Sequence, residues 1–273
     1  HALLASPPLP RSSPRALGDL RSALASLDHP PELHELLEPL SRDPALTARV
    51  ISLANSAFYA RAVPVDTIEL AAARVGVRRV RQLVLMQSVS NALVDEESAP
   101  LLVQIWQRSV AVAYVAESLA EEVDPDHSDR SFAAGLLHDL GLMIVADRVP
   151  KLVTSVFRHS ESVDVTAYDV FERVFEATPL DVAESAASQL AFPKSISRTM
   201  TEYRNPSAKE QEAVRIVHVA RALCGRDGSY DELAGDEITL AYDISHGLGI
   251  ESADLDRLSE RVGHWCTLAK KLA

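Results

Sequence analysis

The run Gly135-Leu136-Leu137-His138-Asp139-Leu140-Gly141 sets an imidazole beside a carboxylate, between two glycines that allow tight packing. Such a pair, placed on a helix, can share one divalent cation, and a cation held there would activate water for phosphoester cleavage. Two protein ligands hold a divalent ion poorly, so this chemistry requires partners from elsewhere in the chain. His218 lies three residues before Arg221, on one helix face, and is the one histidine placed to replace a missing ligand. The histidines at 29, 34, 127, 159, 246 and 264 show no metal-ligand spacing. A second cluster is cationic: Arg74, Arg78 and Arg81, with Arg79 beside them, share a helix face. It suits an acidic partner or a phosphate-bearing ligand; the plainer reading is a solvated, salt-bridged face.

These residues need a scaffold, and the composition favours helices. Hydrophobic residues make up 47% of the 273 and aromatics only 5%, so small side chains dominate the packing. Residues 6–14 are rich in proline and serine and read as a flexible lead-in. Asp43-Pro44 supplies a cap and a first-turn proline, after which Leu46, Val50, Leu53 and Ala54 share a face. Leu102, Ile105, Trp106, Ser109, Val112, Ala113, Ala116 and Leu119 form the stripe of a longer helix, ended by the acidic turn at Asp124-Pro125-Asp126. Ser207 with Glu210 forms a capping box for a helix reaching about Cys224, and Ser252 caps the last helix. The pattern predicts an all-α chain of about a dozen helices with no internal repeat. A composition shift at 94–100 divides residues 15–98, a first helical lobe, from residues 99–273, a second, with 1–14 as the lead-in.

The net charge of −12 argues against a duplex-wrapping surface, while a local basic pocket for a nucleotide is still open. Cys224 and Cys266 form no disulfide framework or zinc spacing and read as buried free thiols in a reducing compartment. No run is long and apolar enough for a bilayer and no signal peptide is visible, which places the expected location in the cytoplasm. The chain opens on His1 rather than Met, as a piece of a longer protein would.

The segment Asp43-Pro44-Ala-Leu-Thr-Ala-Arg49-Val-Ile-Ser-Leu-Ala-Asn55-Ser56-Ala-Phe58-Tyr59, followed by Thr67-Ile68-Glu-Leu-Ala71-Ala-Ala-Arg74-Val75-Gly76 and a helix from Val77 to about Leu93, resembles the HDOD family. These are HD-related output domains of bacterial signalling proteins, degenerate relatives of HD and HD-GYP phosphohydrolases. The resemblance implies a two-lobed all-helical domain, the second lobe a degenerate HD-like bundle, acting in signal transduction by protein binding; a cyclic dinucleotide or other nucleotide is a further candidate ligand.

It also implies where metal ligands would fall. Arg108 stands after Trp106 where an HD protein carries a histidine, and Thr178-Pro179 takes the place of the next, as a cap and a first-turn proline. Glu202-Tyr203 replaces a histidine pair, and Arg221 the final aspartate. Guanidinium groups repel a cation. The resemblance therefore implies no catalytic residue, no metal and no cofactor, with His138-Asp139 a structural remnant and Arg108 or Arg221 the partner of Asp139. The alternative is an active metal-dependent phosphohydrolase using His138, Asp139 and an unconventional ligand. A third reading has Arg108 and Arg221 holding the phosphates of a nucleotide. Candidate partner-binding positions are Arg74, Arg78, Arg81, Asn55, Ser56, Phe58 and Tyr59. Asn55-Ser56 would otherwise shape a turn, and the two aromatics would anchor the core.

Overall fold

The computed structural model describes residues 14–27, 32–41, 44–56, 59, 63–93, 100–163, 165–207, 212–225 and 235–272. Among these there is no strand, and the helices are α1 (Pro14–Ala25), α2 (Leu33–Ser41), α3 (Pro44–Ala54), α4 (Ile68–Val75), α5 (Val77–Leu93), α6 (Pro100–Val123), α7 (Ser128–Leu137) and α8 (Leu140–Arg148). They continue with α9 (Pro150–Val163), α10 (Ala167–Phe175), α11 (Pro179–Gln189), α12 (Lys194–Glu202), α13 (Glu212–Gly225), α14 (Gly235–Gly247) and α15 (Ser252–Leu272), and one 3₁₀ turn, Pro125–His127, follows α6. The fold class is all-α, as the pattern predicts, with more and shorter helices than the dozen expected. Gly76, at φ 92°, separates α4 from α5 in a conformation that favours glycine. Val149, at φ −138° and ψ 59°, leaves the helical region before Pro150 and so splits α8 from α9.

Helix α6 is the axis of the molecule. It packs against α7, α13 and α15, and its residues 109–117 are buried without a break. A helix apolar on every side must lie inside, which explains the run from Val110 to Ala116. Antiparallel α7 approaches it closely. A Cβ on Gly135 would sit 2.9 Å from the Ala113 Cα, so only glycine allows this contact. Gly141 does the same for α8 and α11: its Cβ would meet the Pro179 carbonyl oxygen at 1.9 Å. Both glycines of the His-Asp run are thus packing devices. Helix α1 packs on α5, and α5 on α7, which joins the N-terminal helices to the rest.

Several expected boundaries shift or fall outside the described residues. Ser252 is the first residue of α15 rather than its cap, and the Glu251 carbonyl takes the first backbone bonds instead. Asp43, Glu210, Phe58 and residues 94–99 lie outside the described residues, as does the side chain of Cys266. Cys224 is a buried free thiol.

Candidate functional site

His138 and Asp139 do not lie within a helix, as the sequence suggested, but in the turn joining α7 to α8. His138 keeps helical angles, and Asp139, at φ −97° and ψ 15°, breaks the ladder. The break turns both side chains into the core, where Asp139 is 0% exposed. The His138 Nδ1 lies 2.7 Å from the Gly135 carbonyl oxygen, which can only accept, so Nδ1 carries a proton and donates it. That orients Nε2 toward Asp139 Oδ2, at 3.2 Å.

The same Oδ2 accepts a charge-assisted hydrogen bond from Arg108 Nη2. Burial alone would push the Asp139 carboxyl up; the charge and hydrogen bond of Arg108, with His138 beside it, outweigh it and hold the group well below the usual carboxylate range. Of the two arginines expected as partners, Arg108 takes Asp139. Arg221, also buried, lies with its guanidinium 5.9 Å from the centre of the Tyr203 ring.

Tyr203 completes the centre. Its hydroxyl donates to Asp139 Oδ1 at 3.0 Å, so the hydroxyl of Tyr168, 3.2 Å away, must donate to the Tyr203 oxygen. Burial, then the charge of Asp139, pushes the Tyr203 phenol up. The His138 ring meets the Tyr203 ring edge-on at 5.0 Å, and Arg204 covers Tyr168 at 3.9 Å. His218 is fully buried and bonds the Tyr203 backbone oxygen through Nδ1 at 2.9 Å. Thr178 caps α11 with its hydroxyl in a capping box with Asp181, and Pro179 opens the helix. Among the described residues no group of three or more His, Cys, Asp and Glu side chains is placed to hold a metal ion. A guanidinium, a poor neighbour for a divalent ion, occupies the carboxylate edge of Asp139 that faces the imidazole.

The cationic cluster lies at the far end of α6. Glu117, 1% exposed, accepts from Arg78 Nε at 2.9 Å, from Gln82 Nε2 at 2.6 Å and from Arg79 Nη1. Arg78 also reaches Glu121, and Arg81 donates to Asp129 Oδ2 at 3.0 Å and to the Ser26 carbonyl at 3.1 Å. Burial pushes the Asp129 carboxyl up and outweighs the pull of Arg81 and Arg78. Arg74 points away from this group, toward the Val63 carbonyl at 2.8 Å. Asn55 bonds both backbone groups of Val65, at 2.7 and 2.9 Å, and so clamps a turn ten residues on. Ser56 accepts the Tyr59 amide through its carbonyl, and Tyr59 is half-buried against the core. The structure thus separates the expected positions into a centre at Asp139, a cluster at Glu117 and a clamp at Asn55 with Arg74. Glu117, Asp129 and Tyr168 were missed by sequence reasoning. A glutamate directly after an unbroken apolar run was a usable signal for Glu117, since a charge there must find a partner; Tyr168 gave none.

The family model described as HDOD domain matches residues 13–206. The crystal structure of an HDOD domain protein of unknown function from Geobacter sulfurreducens is similar with a TM-score of 0.82 at 22% identity, covering 98% of this chain and 95% of that one. A Shewanella amazonensis protein with a provisional phosphohydrolase name gives 0.72 at 22% identity, covering 99% and 97%. A Marinobacter aquaeolei protein provisionally named for signal transduction gives 0.73 at 22%, covering 98% of this chain and 60% of its own. At these identities the likeness is one of fold. An uncharacterized protein of Treponema pallidum is 23% identical over 211 residues, 77% of this chain and 40% of that protein's length.

Proposed function

The chain belongs to the HDOD domain family, and from that premise we propose that it is a non-catalytic signal-transduction module that works by binding a protein partner. The observation that carries this is the Arg108 guanidinium bonded to Asp139 Oδ2. A cation with hydrogen-bond donors already neutralises that carboxylate, so a metal would have to displace a buried ion pair to reach it. The centre then serves to hold helices together: Arg108 comes from α6, Asp139 from the α7–α8 turn and Tyr203 from the residue after α12. On this reading residues 15–98 and 99–273 are two lobes of one module, acting in the cytoplasm, with a nucleotide messenger as a second class of ligand. Among the described residues no helix is long and apolar enough to cross a membrane.

A metal-dependent phosphohydrolase is the second reading, favoured by His138 Nε2 facing Asp139 Oδ2 at 3.2 Å and by the provisional name of the Shewanella protein. Turnover of bis-p-nitrophenyl phosphate in manganese separates the two. The proposal predicts a rate equal to that of the Asp139→Asn variant; a wild-type rate that the substitution abolishes, with the fold intact, would establish the phosphohydrolase.

A further inference from the structure

Helix α6, and helix α7 with the turn residue that follows it, each bring one residue to the arginine cluster and one to the Asp139 centre, at equal spacing. On α6, Glu117 receives Arg78, Arg79 and Gln82, and Arg108, nine positions earlier, reaches Asp139. On α7, Asp129 receives Arg81, and His138, nine positions later, follows the helix end and faces Asp139. Because the two helices run antiparallel, the Glu117 and Asp129 ends come together, and so do the Arg108 and His138 ends. Nine helical residues span about 14 Å. Midway, Gly135 lies against Ala113 so closely that a Cβ would sit 2.9 Å from the neighbouring Cα. Two helices in backbone contact cannot slide independently at that point.

We propose that this helix pair is a conformational device linking the two charge centres: loosening the α5 arginines from Glu117 and Asp129 loosens Arg108 and His138 at Asp139, and the reverse. The accessible end is the α5 side. The Arg78 side chain is 39% exposed while Asp139 is fully buried, so an anionic group on a partner can compete for Arg78 without entering the core. The inference goes beyond the proposed function and does not depend on it, because a catalytic Asp139 centre would be coupled in the same way.

A thermodynamic cycle on the full chain tests it, with Glu117→Gln and Asp139→Asn chosen because each removes a charge and keeps the shape. Sites this far apart with no shared partner normally give additive losses. The device predicts that the fall in Tm of the double variant is clearly smaller than the sum of the two single falls, because either substitution alone already loosens the other end. An additive double variant overturns it. If the double variant does not fold, Arg78→Gln decides, since it changes only a half-exposed side chain. The indole NMR signal of Trp106, buried on α6 two residues from Arg108, should then move away from its wild-type position. An unmoved Trp106 signal overturns the coupling.

Discussion

Asp139 and Glu117 are both buried carboxylates answered by arginine, yet their surroundings differ in a way that decides what each can do. At Asp139 the partner is buried too: the Arg108 side chain is 8% exposed, and Tyr203 and His138 close the remaining directions. At Glu117 the acid is hidden but Arg78 and Arg79 are 39% and 28% exposed, so their outer edges face water. Losing one partner at the first site strands a charge in the core. Losing the acid at the second returns the half-exposed arginines to solvent. The first site is an enclosed internal tie, and the second is a tie that another molecule can reach.

The comparison breaks most directly at Asp139. Replacing it by alanine removes the carboxylate that Arg108, His138 and Tyr203 all meet inside the core, and should cost about 3–5 kcal/mol of unfolding free energy in urea titrations. A loss below about 1 kcal/mol would mean that Arg108 escapes to solvent and the centre is not closed. Glu117→Gln should cost less, about 2 kcal/mol, because its hydrogen bonds to charged donors are lost but the arginines rehydrate; a cost equal to that at Asp139 would erase the distinction. Tyr203→Phe deletes one hydrogen bond to Asp139 and should cost about 1 kcal/mol in the same measurement. Arg78→Gln should cost the least, below about 1 kcal/mol, and 0.5 M salt should largely remove that difference because the pair is partly screened.

Acid titration sharpens the contrast. The folded Asp139 carboxyl titrates below its unfolded value, so its stabilisation is present above the unfolded value, near 4, and is lost as pH falls through the folded one. Asp129 is shifted up instead, so its contribution is present below the unfolded value and lost as pH rises through the folded one. Asp139→Asn should therefore flatten the acid side of the stability curve, whereas Asp129→Asn should leave that side as steep or steeper. An unchanged acid limb in the Asp139→Asn variant would contradict the assignment.

Much of this was readable beforehand, for identifiable reasons. Caps are local, so the Thr178-Pro179 start of α11 fell where expected, and the Val77–Leu93 helix implied by the resemblance is present with those bounds. That Arg108, Tyr203 and Arg221 stand where an HD protein would carry ligands is an implication of register within a resemblance, which needs no tertiary information. What Tyr203 does instead was not readable: its bond to Asp139 crosses 64 residues and depends on how α12 docks. The arginine face was seen, but its partners on α6 and α7 were not. Three arginines on one face look alike whether they meet solvent or a neighbouring helix. The His-Asp pair itself was placed on a helix because Gly-Leu-Leu-His-Asp-Leu-Gly carries no proline or cap to mark the turn.

The central claim is that Arg108 takes the place of a cation at Asp139. Thermal unfolding of the metal-stripped chain against increasing Mn²⁺ tests it most directly, since a ion bound only by the folded state must raise Tm with concentration. The account predicts a flat Tm up to millimolar Mn²⁺. A saturating rise that vanishes in Asp139→Asn would contradict it.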